Sequence, residues 1–165
     1  MKKNISFSAK QTQRMGELLG QELLMSKKEK QAIIIGLEGN LGDGKTTFIQ
    51  GMAKGLKIKD NILSPTFVIF KEFNINVKNC DFKHFYHIDC YRLDSYKDLL
   101  ELGLEDVINN PENIIVIEWA NKIKDCLGDM IEIKFNWLDK NKREIIFWEK
   151  GCDKPDNENL NYINK

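Results

Sequence analysis

The most informative stretch of the sequence is Gly39-Asn40-Leu41-Gly42-Asp43-Gly44-Lys45-Thr46-Thr47, which matches the phosphate-binding loop pattern G-x-x-x-x-G-K-[ST]. It follows an apolar run, Ala32–Leu37, of the kind found in strands that are buried on both faces. It precedes Thr46–Lys54, where apolar residues recur at helical spacing until Gly55. Strand, glycine-rich loop and helix in this order are the context that a phosphate loop requires, so a turn that binds nothing is the weaker interpretation.

Each residue type in this loop has a chemical reason. Glycines let the backbone curl with its N–H groups facing an anion, and the helix that follows adds donors and a favourable dipole. Lys45 is expected to reach the β- and γ-phosphates of a nucleotide, and the Thr46 hydroxyl to bind Mg²⁺. The nucleotide-binding residues predicted in the loop are Gly39, Leu41, Gly42, Asp43, Gly44, Lys45, Thr46 and Thr47.

Composition limits the class of protein. The chain has 165 residues, with 25 Lys and Arg against 25 Asp and Glu, so no overall basic field attracts nucleic acid. Its four cysteines show no C-x-x-C pairing, and no apolar run has the length of a membrane span or a signal peptide. We therefore expect a cytoplasmic protein with neither membrane nor DNA as a partner, built as a single domain over residues 1–150.

The two ends of this domain are predicted to be a helix and a hairpin. Ser8 and Gln11 form a capping box that starts a helix ending near Ser26. Residues 130–137 and 143–149 alternate in polarity and predict a C-terminal antiparallel hairpin. The polar segment that follows, residues 151–165, is expected to be a loosely ordered tail.

Two further apolar runs end in a carboxylate. Phe85–Asp89 and Asn113–Glu118 are predicted strands, and residues at the carboxyl ends of strands in open α/β sheets face the ligand crevice. Asp89 and Glu118 are therefore candidates to bind Mg²⁺ or to position water. Burial of Asp89 without a partner would be costly, which predicts a metal, a water or Arg92 beside it.

A turn at Ser64-Pro65 presents Thr66 at the mouth of a strand predicted over residues 68–73. In phosphate-loop enzymes, a threonine at this point of the chain often senses the γ-phosphate and Mg²⁺. Ser-Pro-Thr also begins ordinary strands, so the residue types alone leave both interpretations open.

Two other motifs are weak. His84 and His87 form an H-x-x-H, but positions three apart on a strand face opposite sides, which disfavours zinc. The segment Asn121-Lys122-Ile123-Lys124 begins like the guanine-binding signature Asn-Lys-x-Asp but ends in Lys124. Guanine specificity is therefore not supported.

Several blocks of sequence occur together in one order. After the phosphate loop come Ser64-Pro65-Thr66-Phe67, His87-Ile88-Asp89-Cys90-Tyr91-Arg92-Leu93, Glu101-Leu102-Gly103-Leu104-Glu105-Asp106 and Glu118-Trp119-Ala120. In this combination they resemble the TsaE (YjeE) family of bacterial ATPases, which serve the synthesis of threonylcarbamoyladenosine in tRNA. The phosphate loop alone would not identify the family, whereas the combined blocks do.

The resemblance implies the α/β fold of phosphate-loop NTPases, with a central, mostly parallel sheet flanked by helices, and hydrolysis of ATP with Mg²⁺. The implied catalytic residues are Lys45, Thr66, Asp89 and Glu118, and the implied metal ligands are Thr46, Glu118 and Asp89. Residues of the first helix and of the hairpin would flank the base, namely Ala9, Thr12, Lys142 and Arg143. The implied partners are the TsaB and TsaD proteins, which carry out threonylcarbamoyl transfer, and tRNA indirectly through their complex.

Two other functions compete with this one. A small-molecule kinase would use the same loop and Mg²⁺, but such kinases tend to clamp charge with several arginines. This chain has only Arg14, Arg92 and Arg143, which argues against a kinase. An interaction module that is gated by nucleotide, with negligible turnover, is the second competing function.

The loop departs from the family pattern at two positions. Asn40 stands where Asp is usual, and Asp43 stands where Ala is usual. Because backbone N–H groups form the phosphate cradle, Asp43 can direct its side chain outward. A carboxylate beside a triphosphate is still expected to lower nucleotide affinity.

Overall fold

The computed structural model describes residues 1–93, 96–123 and 126–148. Its strands are β1 (Lys2–Ser6), β2 (Ile33–Glu38), β3 (Phe70–Asn74), β4 (His84–Asp89), β5 (Asn113–Glu118), β6 (Ile131–Trp137) and β7 (Arg143–Trp148). Its helices are α1 (Ala9–Met25), α2 (Lys45–Gly55), α3 (Tyr96–Glu101) and α4 (Leu104–Asn109), with a 3-10 turn over Ala120–Lys122.

The strands of the described residues form one sheet in the order β1-β7-β6-β2-β5-β4-β3. The central strands β6, β2, β5 and β4 are parallel to one another. The outer strands pair antiparallel with their neighbours, and β6 and β7 form the C-terminal hairpin. The α/β phosphate-loop NTPase fold with a mostly parallel centre is therefore confirmed.

Apolar residues of the central strands alternate between two cores, one on each face of the sheet. In the first core, Ile35 and Leu37 of β2 pack with Phe48 of α2. In the second, Ile115 and Ile117 of β5 pack with residues of α3 and α4. Burial on both faces explains why the sequence of these strands is continuously apolar.

Glycines let α1 and α2 cross in backbone contact. A Cβ built on Gly16 of α1 would lie 2.1 Å from a carbonyl oxygen of α2, and one built on Gly51 of α2 would lie 1.9 Å from the Gln13 carbonyl oxygen. Gly20 and Gly55 meet the facing helix in the same way one turn further on. This crossing places the N-terminal ends of both helices side by side, which brings α1 to the phosphate loop.

Strand β1 was not predicted from the sequence. Of its residues only Ser6 is fully buried, so β1 lacks the alternation of a half-buried strand. It forms because β7 offers a free edge, with Lys2 opposite Phe147 and Ser6 opposite Arg143. Such pairing depends on tertiary context more than on local propensity.

Strand β3 begins at Phe70, two residues later than predicted. The N–H groups of Val68 and Ile69 both donate to the Pro65 carbonyl, at 2.9 and 2.7 Å. Ile69 takes the left-handed conformation with φ 67°, which completes a tight turn. As a result Thr66 lies in a turn before the strand and not at its first residue.

The other predicted elements match the structure within about two residues at each end. Ser8 caps α1 as predicted, since its hydroxyl accepts the Gln11 N–H at 3.2 Å. Residues 94 and 95, and the tail predicted over 151–165, lie outside the described residues. Among the helices that are described, none has the length and apolar character to cross a membrane.

Candidate active site

The carboxyl ends of three parallel strands lie side by side at one edge of the sheet. Asp89, which ends β4, is paired with Glu118, which ends β5, and Glu118 is paired with Leu37 of β2. The phosphate loop follows β2 directly and leads into α2. These elements enclose a cavity of about 310 Å³, lined by Leu41, Gly42, Gly44, Lys45, Thr46, Thr47, Ser64, Thr66, Asp89, Tyr91, Glu118 and Trp119.

The phosphate loop presents an uncapped helix N-terminus to this cavity. Gly44 precedes α2 with φ 98°, and no side chain caps the helix there. The first helical bond runs from the Phe48 N–H to the Gly44 carbonyl, so the N–H groups of residues 45–47 project from the helix end. Gly42 has φ 83°, and a Cβ built on it would meet no atom within 4 Å. The loop therefore fits an anionic phosphate chain.

Lys45 is buried within the loop that precedes it. Only 4% of the residue is exposed, and its Nζ donates to the Gly39 and Asn40 carbonyl oxygens at 2.8 Å each. Nζ also lies 4.1 Å from the centre of the Trp119 ring, a cation–π contact. Burial lowers the pKa of Lys45, while the nearby carboxylates, Glu118 foremost, act in the opposite direction. The ammonium thus sits at the cavity wall with its charge only partly compensated.

Thr46 and Glu118, which are 72 positions apart in the sequence, meet in the cavity. The Thr46 hydroxyl lies 2.9 and 3.1 Å from the two carboxylate oxygens of Glu118. The fully buried His87 donates from Nε2 to the same carboxylate at 2.9 Å. The other ring nitrogen, Nδ1, has no hydrogen-bond partner among the described residues. Within the described part of the chain, the His87 side chain therefore bonds only to Glu118, and it fixes the direction of the Glu118 carboxylate.

The Asp89 carboxylate accepts hydrogen bonds from two hydroxyl groups that also line the cavity. The hydroxyls of Ser64 and Thr66 both donate to Oδ2, and the Ser64 distance is 2.6 Å. The Tyr91 N–H donates to Oδ1 at 2.9 Å. Thr66 is thus placed against a site carboxylate, although its response to phosphate stays a prediction. Ser64 was not predicted as a site residue, and its signal was the Ser-Pro-Thr turn itself.

The expected contact between Arg92 and Asp89 is not what compensates this carboxylate. The Arg92 guanidinium lies over the Phe67 ring, 4.4 Å from its centre. The Ser64 and Thr66 hydroxyls partner the Asp89 carboxylate instead, and the predicted metal or water beside Asp89 stays a prediction. Since neutral hydroxyls can donate to a carboxylate without adding charge, the negative charge of Asp89 still faces the cavity.

Asp43 is not directed outward, contrary to what the sequence analysis allowed. It is only 3% exposed, and its Oδ2 accepts the Asn40 N–H at 2.6 Å. Gly39 and Asp43 do not line the cavity, although both were predicted to bind nucleotide. Both contribute to the shape of the loop, since Gly39 has φ 145° and a Cβ built on it would lie 3.1 Å from Oδ2 of Asp43.

A second cavity of about 140 Å³ adjoins the phosphate loop on the side of α1. Its lining combines α1, the loop and the β6–β7 turn: Ser8, Ala9, Thr12, Gly42, Gly44, Thr47, Lys140, Asn141 and Arg143. Arg143 ties the turn to the loop, because its guanidinium donates to the Gly42 carbonyl at 3.2 Å. Of the residues predicted to flank a base, Ala9, Thr12 and Arg143 lie here. Lys142 does not, because it pairs with Asp139 at 3.3 Å.

The site residues fit Mg²⁺ better than zinc. The Thr46 hydroxyl and the Glu118 carboxylate are oxygen donors, and Mg²⁺ is commonly held by one or two such groups together with phosphates and water. Within the described residues, no three His, Cys, Asp or Glu side chains are placed to hold a metal by themselves. His84 and His87 point to opposite faces of β4 and bind different acids, Glu72 and Glu118.

Comparison with known proteins finds proteins that are similar to this chain over most of its length. The family model described as "Threonylcarbamoyl adenosine biosynthesis protein TsaE" matches residues 6–145. A protein of Rickettsia typhi named "tRNA threonylcarbamoyladenosine biosynthesis protein TsaE" is 38% identical over 141 residues, covering 82% of this chain and 87% of its own. A protein of Treponema pallidum with the same name is 32% identical over 142 residues, covering 86% and 96%.

The crystal structure of Bacillus subtilis YdiB resembles this structure with a TM-score of 0.67 and 28% sequence identity. The match covers 88% of this chain and 83% of that one. The matched residues 6–145 include the phosphate loop, both strand-end acids and the hairpin arginine that lines the second cavity. The chain therefore belongs to the TsaE family of threonylcarbamoyl adenosine biosynthesis proteins.

Proposed function

We propose that this protein is a Mg²⁺-dependent ATPase that is required for the formation of N6-threonylcarbamoyladenosine in tRNA, acting with the TsaB and TsaD proteins. The observation that carries the proposal is the meeting of Lys45, the Thr46 and Glu118 pair, and Asp89 in one cavity at an uncapped helix N-terminus. Family membership supports the pathway, and the cavity supports the chemistry.

The loop and Lys45 would bind the phosphate chain. Backbone N–H groups at the start of α2 supply donors, and the helix dipole favours negative charge at that end. Lys45 now donates to the carbonyls of Gly39 and Asn40, and a phosphate oxygen would offer its ammonium a charged acceptor. Because burial disfavours the unpaired ammonium, part of the gain on binding comes from compensating a charge that the fold has already desolvated.

Thr46 and Glu118 would hold the metal, with His87 keeping the Glu118 carboxylate in place. A Mg²⁺ ion held by these residues would supply positive charge against the negative charge that develops on the transferred phosphoryl group. Thr46 would turn its hydroxyl proton away from Glu118 and present a lone pair. Asp89 stands next to Glu118 in the register and would accept a hydrogen bond from the attacking water.

The proposal is tested by measuring ATP hydrolysis by the purified protein, alone and after addition of the cognate TsaB and TsaD proteins. We expect hydrolysis that depends on Mg²⁺ and that increases when both partners are present. Hydrolysis without any response to the partners, and without complex formation, would contradict the role in tRNA modification. Nucleotide-dependent complex formation without any turnover would favour the interaction module instead.

Asp89→Asn is expected to separate binding from turnover. The substitution keeps an acceptor for the hydroxyls of Ser64 and Thr66 but removes the negative charge that would orient water. Turnover should fall about 100-fold, the typical contribution of a positioned base, while the Kd for Mg-ATP should change by no more than about threefold. Single-turnover hydrolysis and calorimetric binding measure the two quantities. Equal losses in both would favour a structural role for Asp89.

His87→Leu is expected to raise the Mg²⁺ concentration needed for half-maximal hydrolysis. The fully buried His87 is the side chain that orients Glu118, and loss of such a partner typically weakens metal binding about tenfold or more. His87→Gln, which retains a donor, serves as the matched control and should restore most of the affinity. If His87→Leu shows a normal Mg²⁺ requirement, Glu118 does not need His87 to bind the metal.

A further inference from the structure

The phosphate loop contains a buried carboxylate, Asp43, that does not line the cavity proposed to hold the nucleotide and the metal. Asp43 is 3% exposed, and no side chain of opposite charge is bonded to it among the described residues. Its Oδ2 accepts the Asn40 N–H at 2.6 Å, and its own N–H donates to the Asn40 carbonyl at 3.3 Å. Asn40 and Asp43 thus close residues 40–43 of the loop into a turn through a reciprocal pair of hydrogen bonds.

This closure is connected directly to Lys45. The Asn40 carbonyl that accepts the Asp43 N–H also accepts Nζ of Lys45 at 2.8 Å. The neighbouring Gly39 carbonyl accepts Nζ at the same distance, and a Cβ built on Gly39 would lie only 3.1 Å from Oδ2 of Asp43. The Gly39–Asn40 peptide group donates its N–H to Asp43 and accepts the Lys45 ammonium through its carbonyl. Asp43 therefore holds in place a peptide group that holds the ammonium.

We propose that Asp43 is a positioning residue that holds the phosphate loop in its binding shape before the nucleotide arrives, by fixing the Asn40 peptide and through it the Lys45 ammonium. A hydrogen bond from a backbone N–H to a carboxylate is among the stronger ones, and burial keeps water from competing for it. The loop then needs less ordering when a triphosphate binds, which favours affinity.

This assignment reverses the effect expected from charge alone. If Asp43 acted only through its negative charge, its removal would strengthen the binding of a triphosphate. As a positioning residue, its removal weakens binding, because the loop becomes ordered only when the nucleotide arrives. Asp43→Ala and Asp43→Asn separate the two effects, since both remove the charge but only the amide can still accept the Asn40 N–H.

The experiment measures amide hydrogen exchange over residues 39–47 in the nucleotide-free protein, and the Kd for Mg-ATP by calorimetry. Asp60→Ala is the matched control, because it removes an exposed carboxylate beyond the far end of α2. In Asp43→Ala we expect Asn40 to exchange about tenfold faster and ATP to bind about tenfold more weakly, the loss of one charge-assisted hydrogen bond. Asp43→Asn and Asp60→Ala should stay within about threefold of the parent.

The hydrogen-exchange measurement needs no ligand, whereas the affinity measurement rests on the proposed function. A parent protein that binds no ATP would therefore contradict the proposed function, and Asn40 exchange would still decide the role of Asp43. Unchanged exchange in Asp43→Ala, or ATP binding as tight as that of the parent, would overturn the assignment. Equal weakening in Asp43→Ala and Asp43→Asn would overturn it too, because the hydrogen bond would then not be the cause.

Discussion

Replacing Lys45 by alanine is expected to abolish measurable ATP hydrolysis. The Lys45 ammonium lies on the cavity wall, held by the Gly39 and Asn40 carbonyls within the loop that would bind the phosphates. Removing one such preorganised charge typically costs about 100-fold or more in turnover, and nucleotide binding should weaken about tenfold as well. Single-turnover hydrolysis with excess protein, together with calorimetry, measures both losses.

Lys54→Ala provides the matched control for this experiment. Lys54 lies on the same helix, its side chain is 67% exposed, and its only described ion pair is with Glu17. Exposed ion pairs of this kind contribute at most about 1 kcal/mol to the stability of the fold. The Lys54→Ala variant should therefore stay folded and keep its hydrolysis. Full activity in Lys45→Ala would refute the proposed phosphate site, whatever the control does.

Replacing Gly51 by alanine is expected to destabilise the fold strongly. Alanine is favoured over glycine within a helix by about 1 kcal/mol, so local propensity alone predicts stabilisation. The added Cβ would, however, lie 1.9 Å from the Gln13 carbonyl oxygen, a backbone atom that cannot rotate away. Because α1 and α2 would be forced apart, the free energy of unfolding should fall by about 3 kcal/mol. For a chain of this size the midpoint of thermal unfolding should fall by about 10 °C.

The sign of this change makes the test decisive. Lys10→Ala, at an exposed position of α1, is the control for an alanine substitution that meets no facing backbone. It should leave the midpoint of unfolding nearly unchanged. A more stable Gly51→Ala variant would mean that helix propensity outweighs the crossing and that α1 and α2 can move apart at little cost.

Much of the site could be predicted because its geometry follows from the topology of parallel sheets. Asp89 and Glu118 end apolar runs, and the carboxyl ends of adjacent parallel strands lie at one edge. The phosphate loop has a local signature, so the positions of Lys45 and Thr46 followed from a few consecutive residues. The structure brings these four residues together around one cavity.

What could not be predicted depends on side-chain direction and on distant pairing. A sequence pattern does not say whether the Asp43 carboxylate turns outward or back to the Asn40 N–H, since either choice is compatible with the same backbone motif. His87 was considered as a zinc ligand and as the first residue of a family block, but neither motif predicts its contact with Glu118, which joins two strands. The ion pair between Lys142 and Asp139 within the hairpin turn could not be predicted either, and the role of Lys142 beside the base stays a prediction.

The pairing of the first strand with the last one has a consequence for how the chain folds during synthesis. β1 is translated well before its partner β7, which is completed only at residue 148. At about 5 to 20 residues per second, β1 must wait on the order of 10 s with its edge unpaired. Its two lysines would limit association with other nascent chains during that time. The Arg143 contact with the phosphate loop can form only after translation has passed residue 143, 101 positions beyond Gly42, so the proposed nucleotide site is completed long after its loop has been translated.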